Sequence, residues 1–155
     1  MTGFDIWNEL GNIYFKVGAF DEAIDAYNKA IELDFRIGWL YSNLGYAYAH
    51  KGQFAEAILE YEKSIELLNT DEDKAVSWGR LGEAYQELQQ YDQAILAYQN
   101  AVVFAPQDPA YSAALSAVQE ELGRLEQPAP QENTEEVKEV ATTETAEVID
   151  APAAK

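Results

Sequence analysis

Trp-Asn-Glu-Leu-Gly-Asn-Ile-Tyr, at residues 7–14, sets the architecture of this chain, because the same phrase returns twice. Residues 41–48 read Tyr-Ser-Asn-Leu-Gly-Tyr-Ala-Tyr, and residues 78–85 read Trp-Gly-Arg-Leu-Gly-Glu-Ala-Tyr. Each copy has an aromatic residue, then Leu-Gly, then Tyr. Self-similarity with a period of about 20–50 residues indicates a repeat architecture.

A second phrase follows each copy at a fixed distance. It reads Ala-x-x-x-Tyr-x-x-Ala at residues 23–30 and 94–101, with Ser as the last residue at 57–64. The first two Leu-Gly glycines are 34 residues apart, whereas the second and third are 37 apart. Because connecting loops tolerate insertions, we place the three extra residues in the polar run 69–74, as a solvated loop.

Each repeat is predicted to form two helices, since apolar residues recur at spacings of three and four in both phrases. Small residues in the two phrases are expected to face each other and let the helices approach closely. These pairs are Gly11 with Ala23, Gly45 with Ala57, and Gly82 with Ala94.

The turns inside the repeats are predicted from glycine. Gly18 and Gly52 are expected to end the first helix of their repeats in the left-handed conformation, which Gly adopts without steric penalty. Gln89 stands at this place in the third repeat. That turn therefore either carries strain on the order of 1 kcal/mol or has another geometry.

The chain resembles, on these two phrases, the tetratricopeptide repeat family, over about residues 4–106. The resemblance implies an all-α fold, a right-handed superhelical solenoid of three helix-turn-helix repeats at about residues 4–37, 38–71 and 75–108. Asp108 as N-cap and Pro109 in the first turn predict a C-terminal capping helix over 109–126. We therefore expect a repeat domain of residues 1–126.

Both ends of the domain carry further predictions. Residues 127–155 contain three prolines, no aromatic residue, seven acidic residues and two lysines, which predicts a disordered acidic tail. No capping segment precedes the first helix, so Ile6 and Ile13 either face solvent or form a self-association surface that makes a homo-oligomer.

The composition excludes several classes of function. There are 28 acidic against 10 basic residues, a net charge of -18, so binding to nucleic acid or to anionic membranes is not expected. With no cysteine and a single histidine, His50, we expect no metal site, no cofactor and no enzymatic activity. The start of the chain has no signal-peptide pattern, and no segment is long and apolar enough to span a membrane, which predicts a cytoplasmic protein.

Function is expected in a concave groove, because the resemblance implies that the first helices of the repeats line one. We predict a protein or peptide partner there, with the chain as adaptor, scaffold or assembly factor. The resemblance also places Glu83 and Glu87 on the wall of this groove. The candidate partner-binding residues are Asn8, Asn12, Phe15, Trp39, Asn43, Tyr46, His50 and Arg80. For Phe15 and Trp39 the alternative is a core position between adjacent first helices.

One subgroup of the family grips peptide carboxylates with two asparagines, two lysines and an arginine. Asn12, Asn43 and Arg80 match three of these places. Asn8 and Val76 occupy the two lysine places, so a co-chaperone-like clamp would be incomplete. The loss of two cations removes charge-assisted hydrogen bonds to an acidic peptide end.

Overall fold

The computed structural model describes residues 1–127, which form seven α-helices and no strand. The helices are α1 (Gly3–Lys16), α2 (Phe20–Leu33), α3 (Gly38–His50), α4 (Phe54–Leu67), α5 (Asp71–Glu87), α6 (Tyr91–Phe104) and α7 (Pro109–Glu126). Each helix packs chiefly on its neighbours in sequence, as in a solenoid. The predicted all-α solenoid with a final helix is confirmed. Of the predicted tail, all but Gln127 lies outside the described residues.

Side-chain caps start three of the helices. Thr2 and Asp5 form a capping box at α1, in which the Asp5 carboxylate accepts the Thr2 N–H at 2.8 Å. Asp108 accepts the Ala110 N–H at 2.9 Å and starts α7 as the sequence predicted. Capping satisfies backbone donors that a helix start would otherwise leave without partners.

The prediction of a solvated loop at residues 69–74 is wrong for its larger part, because α5 begins at Asp71. Thr70 caps this helix, accepting the Asp73 N–H at 3.2 Å. The acidic first turn is stabilised by the positive end of the helix dipole. The three extra residues therefore lengthen α5 to 17 residues, against 14 in α1.

The Leu-Gly glycines lie against tyrosine rings, and not primarily against the predicted alanines. A Cβ added at Gly45 would come within 2.8 Å of ring carbons of Tyr61, and within 3.1 Å of the Ala57 carbonyl oxygen. Gly11 and Gly82 approach the rings of their own repeats as closely; those rings are Tyr27 and Tyr98. The second helix therefore lays an aromatic ring directly on the backbone of the first.

The three turns between paired helices share one geometry. Gly18 and Gly52 have φ of 79° and 77°, which confirms the predicted left-handed conformation. Gln89 adopts the same conformation at φ 59°. In each turn the residue after it donates its N–H back to a carbonyl five positions earlier, for example from Gln90 to Tyr85 at 2.9 Å.

Replacing Gln89 with glycine is expected to raise the free energy of unfolding by about 0.5–1 kcal/mol. Relief of the left-handed strain, about 1–2 kcal/mol, exceeds the entropy that an added glycine loses on folding, about 0.5–1 kcal/mol. Urea denaturation measures the change. The matched control is Gly52→Gln, where nothing lies within 4 Å of the new Cβ and only the backbone angle matters. If the native chain, Gln89→Gly and Gly52→Gln had equal free energies of unfolding, the left-handed backbone at Gln89 would not be strained.

Candidate functional site

Side chains of α1, α3 and α5, the helices predicted to line a groove, contact one another through Tyr46. An aromatic cluster is formed by Phe15, Phe20, Tyr46 and His50. Phe15 stacks on Tyr46 with ring centroids 5.0 Å apart, and the His50 ring meets Tyr46 edge-on at 4.5 Å. His50 also contacts Phe15 at 4.9 Å and Phe20 at 5.5 Å. The cluster joins α1, α2 and α3. Within it, the His50 side chain is exposed to solvent.

Arg80 joins this cluster from α5. Its guanidinium carbon lies 4.2 Å from the centroid of the Tyr46 ring, a cation–π contact. Its Nη1 donates to the Ser42 hydroxyl at 3.0 Å and to the Ser42 carbonyl at 3.4 Å. The cation is thus held against α3 in a fixed orientation.

A chain of buried serines continues inward from Arg80, and sequence analysis missed it. Ser77 donates to Ser42 at 3.2 Å, and the hydroxyls of Ser64 and Ser77 lie 3.1 Å apart. All three serines are buried. A buried hydroxyl without a hydrogen-bond partner is costly, and here each serine has another serine as its partner. The three hydrogen-bonded serines also connect Arg80 through α3 and α5 to α4.

Two small cavities flank Arg80 and place acidic groups beside it. One of about 230 Å³ is lined by residues that include Tyr46, His50, Glu83 and Glu87. The other, of about 220 Å³, shares Arg80 and Glu83. The surface around Arg80 therefore presents one guanidinium next to two carboxylates.

The asparagines are engaged with neighbouring side chains. Asn43 donates to the Asn8 amide oxygen at 3.0 Å, and Asn8 is only 7% exposed. Asn12 accepts the Tyr27 hydroxyl at 2.9 Å and donates to Glu9 at 3.3 Å. Burial raises the pKa of Tyr27 to about 12, although the positive charge of Arg80 acts to lower it. The phenol therefore keeps its proton and can donate this hydrogen bond.

The remaining predicted residues fall in two settings. Trp39 is 37% exposed, and its aromatic neighbour is Phe4, at 6.4 Å. Phe15 packs against the hydrophobic core of the first two repeats and also stacks on Tyr46, so it serves core and groove together. The structure thus brings Phe15, Tyr46, His50 and Arg80 into one group. Partner binding by any of the eight residues remains a prediction.

Phe20 belongs to the aromatic cluster but was not predicted as a site residue. A signal for it exists, because each repeat has an aromatic residue three positions before the alanine of its second phrase. These residues are Phe20, Phe54 and Tyr91. Phe54 lines the cavity beside Arg80, as the equivalent of Phe20 one repeat later.

Within residues 1–127, no three or more His, Cys, Asp or Glu side chains are grouped so that they could hold a metal ion. In the same part of the chain, every helix is too short or too polar to cross a membrane.

Two family models described as tetratricopeptide repeat match the sequence, one over residues 4–35 and the other over residues 36–107. No curated protein shows significant sequence similarity to the chain.

Solved structures of tetratricopeptide domains are similar to this chain. The first such domain of Spaghetti (RPAP3), solved with the HSP90 peptide SRMEEVD, is 28% identical with a TM-score of 0.72, over 77% of this chain and 93% of that one. The TPR2AB domain of yeast Sti1, in complex with pHSP90, is 28% identical with a TM-score of 0.73, over 79% of this chain and 48% of that one. The Sgt2 domain from Aspergillus fumigatus is 21% identical, with a TM-score of 0.74 over 99% and 93% of the two chains, which supports the fold alone.

Proposed function

The chain belongs to the tetratricopeptide repeat family, and from this we propose that it binds a peptide or protein partner in its concave groove as an adaptor, scaffold or assembly factor. The observation that carries the proposal is the aromatic cluster with Arg80 stacked on Tyr46. We propose no enzymatic activity and no cofactor for this site.

The chemistry of the cluster suits a peptide. Aromatic rings offer a large and rigid contact area, and Tyr, Trp and Arg are enriched among residues that dominate binding energy. Tyr46 lies between Phe15 and Arg80, so an apolar side chain of a ligand would contact rings whose positions are already fixed. Polar groups of the ligand would meet Arg80, Glu83 and Glu87 beside it.

Affinity purification from the native cell tests the proposal, with the full chain and its Tyr46→Ala variant as baits. Loss of a central contact is expected to weaken partner binding roughly tenfold or more, so the partner recovered with the native chain should be lost. Leu59→Ala is the matched control, since Leu59 is 64% exposed on α4, a second helix. Thermal unfolding checks that both variants fold. Full partner recovery with Tyr46→Ala and also with Arg80→Ala would contradict the groove.

The HSP90 peptide SRMEEVD, bound by the Spaghetti domain, is expected to bind this chain weakly. Two lysine places hold Asn8 and Val76, and Glu83 beside Arg80 repels a carboxylate. Val76→Lys, at a side chain that is 41% exposed, should raise the affinity up to about fivefold, because an exposed ion pair contributes up to about 1 kcal/mol. Isothermal titration calorimetry measures this affinity, and the gain should shrink at high salt.

The control for the lysine variant is Val76→Met, which has similar side-chain length without charge. This control should bind the peptide no better than the native chain. A native chain that binds SRMEEVD as tightly as the lysine variant would show that a cation at position 76 is unnecessary here.

A second candidate, self-association through α1, is favoured by exposed apolar side chains. Ile6, Ile13 and Val17 are 54%, 56% and 73% exposed. Large exposed apolar patches are found at protein interfaces. Sedimentation at several concentrations distinguishes a self-associating chain from a monomer. A mass that rises with concentration in the native chain, but not in Ile13→Glu, supports self-association. A monomer throughout removes it.

A further inference from the structure

A second cleft lies between α4, α5 and α6, on the side formed by the second helices of the repeats. Its volume is about 530 Å³. Trp78, Leu81 and Leu96 are among the apolar residues of its wall, and Glu62 is one of its acidic residues. The Glu62 carboxylate accepts the hydroxyl of Tyr85 at 3.2 Å, which fixes one anion at the cleft. The cleft is separate from the groove, because none of the cluster residues lines it.

Comparison between the repeats shows what the cleft lacks. In the first repeat, Lys29 places its Nζ 4.4 Å from the centroid of the Trp7 ring. The second repeat has Lys63 at the same distance along the sequence from Tyr41. In the third repeat the corresponding residue is Asn100, which lines the cleft together with Trp78. Trp78, the aromatic residue that begins the third copy of the phrase, therefore has an amide at position 100 where Trp7 has the cation of Lys29.

Two lysines of α4 and α5 contact groups other than Trp78. Lys63 pairs at 3.3 Å with Glu66, which also lines the cleft, and Lys74 lies 5.5 Å from the ring centroid of Phe104. Asn100 turns its amide to its own helix and donates to the Leu96 carbonyl at 2.9 Å. The other lining carboxylate, Glu62, accepts a phenol hydroxyl and would meet a bound cation.

We propose that this cleft binds a lysine or arginine side chain of a partner protein, flanked by an apolar residue. The cation would occupy the place above Trp78 that Lys29 occupies above Trp7, and Glu62 would complement its charge. The volume exceeds that of one side chain, so the neighbouring apolar residue would contact Leu81 and Leu96. The net charge of -18 favours approach of a basic segment. The chain's own residues 127–155 fit poorly, because they carry seven acidic residues and only two lysines.

The test uses the full chain labelled with nitrogen-15, in which three tryptophan indole N–H signals report on three sites. The probes are the capped tripeptides acetyl-Leu-Arg-Leu-amide and acetyl-Leu-Glu-Leu-amide, and Trp78→Phe assigns its signal. We expect a saturable shift of the Trp78 signal with the arginine peptide and a several-fold smaller shift with the glutamate peptide. No shift, or equal shifts with both peptides, would overturn the proposal.

The Asn100→Lys variant tests the cation site more directly. It places a lysine in the third repeat at the position that Lys29 occupies in the first. This variant is expected to lose most of the response to the arginine peptide, whereas Asn100→Gln keeps it. A full response in Asn100→Lys would overturn the proposal. Tyr46→Ala should leave the Trp78 response unchanged, so failure of the groove and failure of this cleft are told apart.

Discussion

Replacing Tyr61 with alanine is expected to lower the free energy of unfolding by about 3–5 kcal/mol, the range for deleting a buried aromatic ring. Tyr61 is 1% exposed and is the largest fully buried side chain in residues 1–127. It lies in a core cluster with Ala57, Leu81 and Ala84, which joins the second and third repeats. Because total stability is typically about 5–15 kcal/mol, this variant should be close to unfolding at room temperature. Urea denaturation followed by circular dichroism measures it.

Two further variants show that the ring is responsible. Tyr61→Phe keeps the ring and should stay within about 1 kcal/mol of the native chain. Gly45→Ala alone should destabilise the chain, because its Cβ would come within 2.8 Å of the Tyr61 ring. Combined with Tyr61→Ala, the same glycine change should cost less, since the ring is gone and the Ala57 carbonyl oxygen at 3.1 Å is the close contact that remains. Additive effects in this cycle would contradict the contact between Gly45 and Tyr61.

Gly38→Ala is expected to cost about 1–3 kcal/mol of unfolding free energy, by overpacking a close approach of two helices. A Cβ at Gly38 would lie 2.9 Å from the backbone nitrogen of Leu68 and 3.0 Å from the carbonyl oxygen of Ser64. These are main-chain atoms at the end of α4, so neither can move away as a side-chain tip could. Thermal and urea unfolding measure the loss.

Gly123→Ala is the control of opposite sign. Gly123 lies inside α7, and nothing stands within 4 Å of an added Cβ. Alanine in a helix interior is favoured over glycine by about 0.8–1.0 kcal/mol, so this variant should be more stable than the native chain. If Gly38→Ala were stabilising as well, the close packing between α3 and α4 would be wrong.

Much of the fold could be predicted from the two repeated phrases, because their spacing and residue types are set by helix pairing. The contact partner of each Leu-Gly glycine could not. Ala57 and Tyr61 lie one turn apart on the same face of α4, so periodicity alone does not say which one meets Gly45. Residues 71–74 were predicted as a loop from their polarity, although a Thr70 cap and an acidic first turn are also signals for a helix start.

The candidate site was predictable only in part. Phe15, Tyr46, His50 and Arg80 do meet, and they stand on the helices that were predicted to line the groove together. Sequence position could not show that Asn8 and Asn43 bond to each other, since a hydrogen bond between side chains depends on rotamers and on the distance between helices. The serine chain was missed for the same reason.

The serine chain has a consequence for the thermodynamics of complex formation. Immobilising a long side chain at an interface costs about 0.5–1.5 kcal/mol in lost rotamer freedom. Arg80 has lost that freedom on folding, since its guanidinium donates to Ser42. Ser42 is in turn hydrogen-bonded to Ser77, and Ser77 to Ser64. A ligand of the proposed groove would therefore meet a preorganised cation whose rotamer freedom was already lost on folding.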